Sequence, residues 1–245
     1  MEKHVVQKSK MNLDKLIAQR ERKEQKPFPV SEEELCARYE QLYTSAVNDV
    51  LREFCLLDQA LPPEIHPLRD EMKVCGMAYT IRSSKDPAIV GEMDTRARML
   101  DDMPRNCICV WDTGGENEAA HWGEIMTAAS RARGARGAVV DGGLRDTAQV
   151  LAQHFPVFYK YRTSCGTLAR CRITAYNIPV KIGKVLIYPG DVVFGDIDGV
   201  VVVPREIAYD VLVRAEEIKT GEVSIRSWVE DGMSAKEVVD KGGYF

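Results

Sequence analysis

The feature that most limits how this chain folds is an alternation of strands and helices between residues 105 and 155. "RNCICVWDTGG" predicts a strand that ends in glycines. "GEIMTAASRARGARG" is alanine-rich and closes with glycines, which predicts a helix with its C-terminal stop. Residues 138–140 then predict a strand, "DGG" a turn and "RDTAQVLAQHF" a second helix. This order is typical of an α/β unit.

The region from about Pro156 to Pro204 has a different character. Short β-favouring runs follow one another, with glycine-containing turns at 182–184, 189–191 and 198–199. This pattern predicts a β-rich layer or a small barrel rather than another α/β repeat. Helices are predicted on both sides: from Ser31, from about 44, and in "REIAYDVLVRAEEI", "GEVSIRSWVEDG" and "SAKEVVDKGGYF".

Composition excludes several classes of protein. The 245 residues are 45% apolar and 29% charged, as in ordinary globular proteins, and the net charge of −4 gives no reason to expect nucleic-acid binding. No apolar run is long enough to cross a membrane, and the N-terminus has no apolar signal core, so we expect a cytoplasmic protein. Residues 1–27 are expected to be a polar extension, and 28–245 a single domain. The seven scattered cysteines predict reduced, mostly buried thiols.

One candidate site combines a helix start with an Arg-Asp pair. Free N–H groups at the helix start in "GEIM" (123–126) can bind a carboxylate or a phosphate. Twenty residues separate Glu124 from Arg145, and Asp146 follows at once. The helix leads away from its N-terminus and the following strand runs back in the opposite direction. The helix start and the Arg-Asp pair are therefore expected at the same edge of the sheet, where open α/β sheets bind ligands. The ordinary alternative is that Glu124 only complements the helix dipole.

These residue types suit metal-assisted chemistry on an anion. Asp146 can bind Mg²⁺ or Mn²⁺ while a second carboxylate holds a water on that ion, and Arg145 can hold an anionic oxygen. The alternatives are a surface ion pair for Arg145 and a helix N-cap for Asp146. His121 could contact a substrate, but a lone histidine is more often a partly exposed loop residue. The acids of "GDIDG" fit a hairpin turn better than a calcium loop, and "DTGGENE" matches no phosphate-loop pattern.

From about Thr44 to the C-terminus the chain resembles a known family. "GGENEAAHWGE…GARGAVVDGGLRD", "YPGDVVFGDIDGVVVVPRE" and "EDGMSAKEVVDKGGYF" are similar to 4-hydroxy-4-methyl-2-oxoglutarate aldolases and to regulator of ribonuclease activity A-like proteins. The resemblance implies an α/β fold, a three-layer β/β/α swivelling-type domain with a β-rich second half and C-terminal helices.

The resemblance also implies a divalent-metal-dependent class II lyase. Such an enzyme cleaves 4-hydroxy-2-oxo acids to pyruvate and can decarboxylate oxaloacetate. The position of Asp146 ligates Mg²⁺ or Mn²⁺, that of Glu124 holds waters on the metal, and that of Arg145 contacts substrate oxygens. The backbone amides that bind the pyruvate carboxylate are those of Gly123, Glu124, Ile125 and Met126.

The family implies trimers, or hexamers of trimers, with active sites at subunit interfaces. A neighbouring subunit supplies a glutamate, for which Glu222 is the best match and Glu217 the alternative. Aldolases of the family often have Asp where this chain has Glu124, and the regulator branch can lack the metal-binding aspartate that is present here as Asp146. Two alternatives remain open: a non-catalytic regulator that binds a ribonuclease or another protein, and a sugar-acid lyase on the same scaffold. No lysine lies near the constellation in sequence, so a Schiff-base mechanism is set aside.

Overall fold

A computed structural model describes residues 12–20 and 25–245 of the chain. The rest of the predicted extension 1–27, namely 1–11 and 21–24, lies outside the described residues. The helices are α1 (Asp14–Arg20), α2 (Glu32–Tyr39), α3 (Thr44–Glu53), α4 (Glu92–Asp101), α5 (Glu124–Arg133), α6 (Thr147–Ala152), α7 (Ala208–Glu230) and α8 (Ala235–Asp240). The strands are β1 (His66–Pro67), β2 (Val74–Lys85), β3 (Cys107–Asp112), β4 (Ala120–Trp122), β5 (Gly137–Leu144), β6 (Val157–Arg162), β7 (Cys171–Tyr176), β8 (Val180–Ile182), β9 (Val185–Ile187), β10 (Val192–Asp196) and β11 (Gly199–Val203).

One large sheet organises the molecule. Its strand order is β1-β6-β5-β3-β2-β10-β11, with β4 paired to β5 and β7 paired to β2. Strands β2, β3, β5 and β6 are mutually parallel, and β10 and β11 add an antiparallel edge. The segment 59–67 joins the two edges, because Leu61 N donates to Val200 O while β1 pairs with β6. The sheet is therefore nearly closed.

The two faces of the sheet carry separate cores. On β3, Cys107, Cys109 and Trp111 face one side, whereas Ile108 and Val110 face the other, as the period of two in a strand requires. The first face packs against α4, α5 and α6 in one cluster and against α2, α3 and α7 in another, and the second face packs against the two-stranded hairpin β8–β9. The layers are thus hairpin, sheet and helices. This is the β/β/α arrangement with C-terminal helices that the resemblance implied, and it is confirmed.

The predicted helix starts near Ser31 and Thr44 are confirmed, each with its own N-terminal cap. Ser31 Oγ accepts a hydrogen bond from Glu34 N at 3.1 Å, a local cap readable from sequence. At Thr44 the cap comes from far along the chain: Asp196 accepts from both the backbone N (2.8 Å) and Oγ1 (2.7 Å) of Thr44. Asp196 therefore joins the hairpin β10–β11 to α3, and the reading of "GDIDG" as a hairpin turn holds.

Two local predictions were wrong. The predicted turn at 141–143 is strand, because β5 continues to Leu144. Gly142 and Gly143 serve close packing instead: a Cβ at Gly142 would lie 2.7 Å from Thr113 Cγ2, and one at Gly143 would lie 2.7 Å from Ala119 O. The two helices predicted in 205–232 are one, since α7 runs through Gly221 without a break.

Two further findings concern the cysteines and the length and apolarity of the helices. All seven cysteines are free thiols, and five of them are buried: Cys36, Cys75, Cys107, Cys109 and Cys171. Among the described helices, none combines the length and the apolarity that crossing a membrane requires.

Replacing Gly221 with alanine is expected to stabilise the protein by about 0.5–1 kcal/mol, because glycine in a helix interior has excess backbone entropy in the unfolded chain. A Cβ at this exposed position would meet nothing within 4 Å. Urea unfolding of both proteins measures the change. Gly134→Ala is the contrast: Gly134 has a φ of +86° at the end of α5, so this variant is expected to lose stability. Equal effects from both variants would contradict the explanation.

Candidate active site

Parallel pairing of β4 with β5 brings the helix start and the Arg-Asp pair side by side. Trp122 pairs with Leu144, and Arg145 N donates a hydrogen bond to Trp122 O at 3.0 Å. The next residue after β4 is Gly123, the N-cap of α5, and the next after β5 is Arg145. The two segments that twenty residues separate in sequence therefore leave the sheet at one edge.

Asp146 has an uncommon backbone conformation that orients its carboxylate. Its φ of 52° and ψ of 37° lie in the left-handed region, which aspartate tolerates better than most residues do. It occupies the N-cap position of α6, as predicted, but its side chain makes no capping hydrogen bond there. Its Oδ2 lies instead 3.4 Å from Glu124 N, at the start of α5. The carboxylate thus faces the positive end of the α5 dipole.

Gly123 makes this close approach possible. A Cβ on residue 123 would lie 2.7 Å from Asp146 Oδ2 and 3.1 Å from Arg145 Cγ. Arg145 Nε lies 3.4 Å from Asp146 Oδ2, and both side chains remain partly exposed, at 48% and 39%. Gly166 packs on the other end of the arginine, since its Cβ would meet Arg145 Nη1 at 2.7 Å. An arginine and a carboxylate therefore lie together against a helix start.

The other predicted residues divide into two groups. Glu124 is partly exposed, Ile125 is 74% exposed and Met126 is buried, all in the first turn of α5. Glu222 and its alternative Glu217 lie on α7, where they contact Tyr244 and Arg214 respectively. Within the described part of this single chain, neither glutamate contacts the group at 123–124 and 145–146.

Behind the site lies a buried polar cluster that the sequence reasoning missed. Glu116, His121 and Cys171 each offer a potential ligand atom, and these atoms lie within 4.8 Å of one another. The expectation that His121 is partly exposed was wrong: it lies on β4 and is 2% exposed. Its apolar neighbours in "AAHW" were the available signal for burial. Nothing in the sequence links Cys171, on β7, to the other two.

Burial sets the protonation of this cluster. Desolvation lowers the pKa of His121 to about 4, despite the attraction of Glu116, and raises the pKa of Cys171 to about 11. Both side chains are therefore neutral near pH 7. Glu116 is 4% exposed, and its carboxylate accepts hydrogen bonds from the backbone N–H groups of Glu118 (2.7 Å) and Ala119 (3.0 Å).

A second buried group missed in the sequence is an ion pair beside α5. Arg96 Nη2 lies 2.8 Å from Glu92 Oε1 and 3.2 Å from Thr167 Oγ1, and its guanidinium stacks over Trp111 at 5.5 Å. It ties α4 to the loop that carries Gly166.

The sequence and the fold of this chain have matches among known proteins. A sequence profile described as Aldolase/RraA, of the RraA-like family, matches residues 44–202. The chain therefore belongs to the RraA-like family.

Three relatives illustrate the range of the family. The uncharacterised protein MJ0644 of Methanocaldococcus jannaschii is 32% identical over 180 residues, covering 72% of this chain and 83% of that protein. A Halalkalibacterium halodurans protein provisionally named 4-hydroxy-4-methyl-2-oxoglutarate aldolase is 26% identical over 205 residues, covering 84% and 93%. DlpA of Legionella pneumophila is 28% identical over 173 residues, covering 71% of this chain but only 28% of DlpA.

Two solved structures share the fold over most of the chain. One, described as that of novel cellulases from microbes associated with the gut ecosystem, is 53% identical, with a TM-score of 0.86, covering 91% of this chain and 100% of that one. The other is Streptomyces coelicolor RraAS2, described as an unusual member of the RNase ES inhibitor RraA protein family. It is 25% identical, with a TM-score of 0.74, covering 82% and 99%.

Gly123→Ala is expected to displace the carboxylate of Asp146 and the stem of Arg145, because the new Cβ would approach them to 2.7 and 3.1 Å. The backbone at Gly123 is extended, so alanine is not strained there. We expect a folded protein with at least tenfold weaker Mn²⁺ binding, measured by electron paramagnetic resonance. Asp70→Asn, a change at an exposed position outside the candidate site, is the control and should bind Mn²⁺ like the wild type. Unchanged Mn²⁺ affinity in Gly123→Ala would show that the close approach is unimportant.

The depressed pKa of His121 predicts a loss of stability in acid. The unfolded chain takes up a proton near pH 6.5 and the folded protein only near pH 4, so stability falls as the pH drops through this window. At pH 5, without added metal, the loss relative to pH 7 is roughly 2 kcal/mol for this one group. Urea unfolding at both pH values should show a smaller loss in His121→Gln than in the wild type. The exposed-site control His66→Gln should keep the full loss, and an equal loss in His121→Gln would refute the assignment.

Proposed function

We propose that the protein is a divalent-metal-dependent lyase that cleaves 4-hydroxy-2-oxo acids to pyruvate and decarboxylates oxaloacetate. The observation that carries this proposal is the carboxylate of Asp146, partly exposed and turned towards the start of α5 beside Arg145. Membership of the RraA-like family and the 26% identity to a provisionally named 4-hydroxy-4-methyl-2-oxoglutarate aldolase support it. In this proposal residues 28–245 form the catalytic domain.

The residues present fit a hard divalent cation. Asp146 supplies a carboxylate oxygen in a partly exposed position. Glu124 is the first residue of α5, and its side chain is long enough to contact a cation through a water molecule. Oxygen ligands of this kind, completed by water, suit Mg²⁺ or Mn²⁺. When bound, such an ion acts as a Lewis acid that stabilises negative charge on the substrate's 2-oxo oxygen.

The chain's own groups would bind and orient the substrate. The backbone N–H groups of Ile125 and Met126 lie in the first turn of α5, where no carbonyl of the helix can accept from them, and that of Glu124 lies 3.4 Å from Asp146 Oδ2. They are suited to the substrate's carboxylate, assisted by the helix dipole. Arg145 would then be near the 2-oxo oxygen, because its side chain lies beside the helix start, where a Cβ on residue 123 would be 3.1 Å from Arg145 Cγ. Its guanidinium is a fixed positive charge where the enolate forms.

Cleavage requires one proton to leave and another to arrive. Glu124 takes up the proton of the C4 hydroxyl, directly or through a water, and the C3–C4 bond breaks as C4 becomes a carbonyl. The electron pair of that bond passes to C3 and the 2-oxo group, forming the enolate of pyruvate. A proton returned to C3 then completes pyruvate. In oxaloacetate the same bond breaks with release of carbon dioxide and needs no base.

A second subunit completes the site in this proposal. Glu222 lies on an exposed part of α7 next to Val223, which is 68% exposed, and Ile125 at the candidate site is 74% exposed. Apolar side chains this exposed at both places are suited to contact between copies. We propose a homotrimer, or a hexamer of trimers, in which Glu222 of a neighbour faces the site.

Pyruvate release from oxaloacetate and from 4-hydroxy-4-methyl-2-oxoglutarate, followed with and without Mg²⁺, tests the proposal. Asp146→Asn is expected to lower kcat/KM at least a thousandfold while the oligomer stays intact, because it removes the charged metal ligand. The chain offers a matched control in its second Arg-Asp pair: Asp70→Asn changes an exposed aspartate that follows Arg69 and should leave the rate unchanged.

Two results would overturn the proposed reaction. Turnover that survives thorough chelation would exclude a required metal. Absence of pyruvate release from every 4-hydroxy-2-oxo acid, together with tight binding of a ribonuclease, would favour the regulator alternative that the 25% identity to RraAS2 supports. Cleavage of sugar acids alone would overturn the proposed substrate and favour the sugar-acid lyase alternative, with the same site residues.

A further inference from the structure

The buried cluster of Glu116, His121 and Cys171 has the composition of a soft metal site. It combines a carboxylate, an imidazole and a thiol, drawn from the loop before β4, from β4 itself and from β7. Their ligand atoms lie within 4.8 Å of one another. In a tetrahedral zinc site the donors are about 3.3–3.8 Å apart, given bonds of about 2.0–2.3 Å, so contraction by about 1 Å brings all three onto one ion.

His121 is prepared for coordination by its own neighbours. Its Nδ1 lies 3.2 Å from the carbonyl oxygen of Ala119, which can only accept, so Nδ1 carries the hydrogen in this contact. Nε2 then holds a lone pair, and among the described residues this buried atom has no hydrogen-bond partner. The ring nitrogen that lies 3.8 Å from Glu116 Oε2 is Nδ1, so binding of an ion through Nε2 requires the imidazole to turn. A metal-ligating histidine typically donates its other N–H to a backbone carbonyl in this way. An uncompensated buried lone pair is an observation independent of the cluster's composition.

Charge gives a third reason. The carboxylate of Glu116 is 2% exposed, and within 4 Å the one basic group recorded beside it in the described chain is His121, at 3.8 Å. Two backbone N–H groups, those of Glu118 and Ala119, donate to this carboxylate, and no Lys or Arg side chain is recorded within 4 Å of it among the described residues. A divalent ion bound by this carboxylate and a Cys171 thiolate would leave the buried group with no net charge.

We propose that Glu116, His121 and Cys171 form a second metal site, which takes a borderline or soft ion of the Zn²⁺ class. Thiolate and imidazole select Zn²⁺ over Mg²⁺, whereas the exposed carboxylate of Asp146, completed by water, is a ligand set that also accepts Mg²⁺ or Mn²⁺. A water completes the coordination. The two sites therefore differ in chemistry as well as in position.

The ion's role is to hold the loops beside the candidate active site. Ala120, next to His121, donates to Cys165 O at 2.7 Å and pairs with Gly166, which packs on Arg145. Cys171 begins β7 directly after that loop. An ion that binds 116, 121 and 171 joins both ends of this structure, so its loss loosens the support of Arg145.

Cobalt(II) is the probe that tests this inference. The full-length chain, cleared of metal with a chelator under reducing conditions, is titrated with Co²⁺ in the background of Asp146→Asn, which removes the proposed catalytic ligand. We expect one Co²⁺ per chain, with a near-ultraviolet thiolate-to-cobalt charge-transfer band and the strong visible bands of a tetrahedral site. Zn²⁺ should bleach both and raise Tm, whereas Mg²⁺ should do neither.

Single variants assign the ligands. Cys171→Ser is expected to abolish the charge-transfer band, and His121→Gln to weaken Co²⁺ binding at least a hundredfold. Cys165→Ser removes an exposed thiol from the adjacent loop and should leave the spectrum unchanged. If Cys171→Ser fails to fold, alkylation of the parent protein in mild denaturant decides, because Zn²⁺ should protect Cys171 selectively. Absence of a thiolate–cobalt band in the parent protein, or its persistence in folded Cys171→Ser, would overturn the inference.

Discussion

The parallel pairing of β4 with β5 is the constraint on which the candidate site depends. Strand β4 has only three residues, and it reaches β5 because Gly142 and Gly143 leave room for Thr113 and Ala119. Once Trp122 is beside Leu144, the residues after each strand must emerge together. The start of α5 and the Arg-Asp pair are therefore neighbours because of this pairing, and Gly123 allows their final approach.

The polar groups near β4 differ in burial, and this difference determines which chemistry each group suits. Asp146 and Arg145 are partly exposed, so water can complete the coordination of a hard cation and a substrate can reach the arginine. Glu116 and His121 are almost fully buried two to seven residues before Gly123, where an unpaired charge or lone pair is costly. Exposure thus distinguishes a site suited to turnover from a cluster suited to holding structure.

Much of the local structure was predictable because its signals are local. Ser31 caps α2 and Ser234 caps α8 through Glu34 and Glu237, three residues further on, which is the Ser-x-x-Glu spacing typical of helix starts. The alternation on β3 placed Cys107 and Cys109 on one buried face. The errors concern glycines. Those of "DGG" indicated a turn, but they lie in a strand and leave room for Thr113 and Ala119. Gly221 indicated a break between two helices, but α7 continues through it to Glu230. Likewise, the N-terminus of α3 depends on Asp196, 152 residues away, which no local pattern reveals.

The sequence by itself indicated a candidate site, from the spacing of Glu124 and the Arg-Asp pair and from a helix that starts directly after Gly123. It also determined the α/β class, because hydrophobic periodicity and turn residues are properties of short segments. Only the tertiary structure decided the orientation of Asp146, whose left-handed backbone turns its carboxylate away from the helix it precedes and towards α5. Only the tertiary structure brought Cys171 to His121, because long-range strand pairing, which depends on contacts across the whole sheet, sets the distance between them.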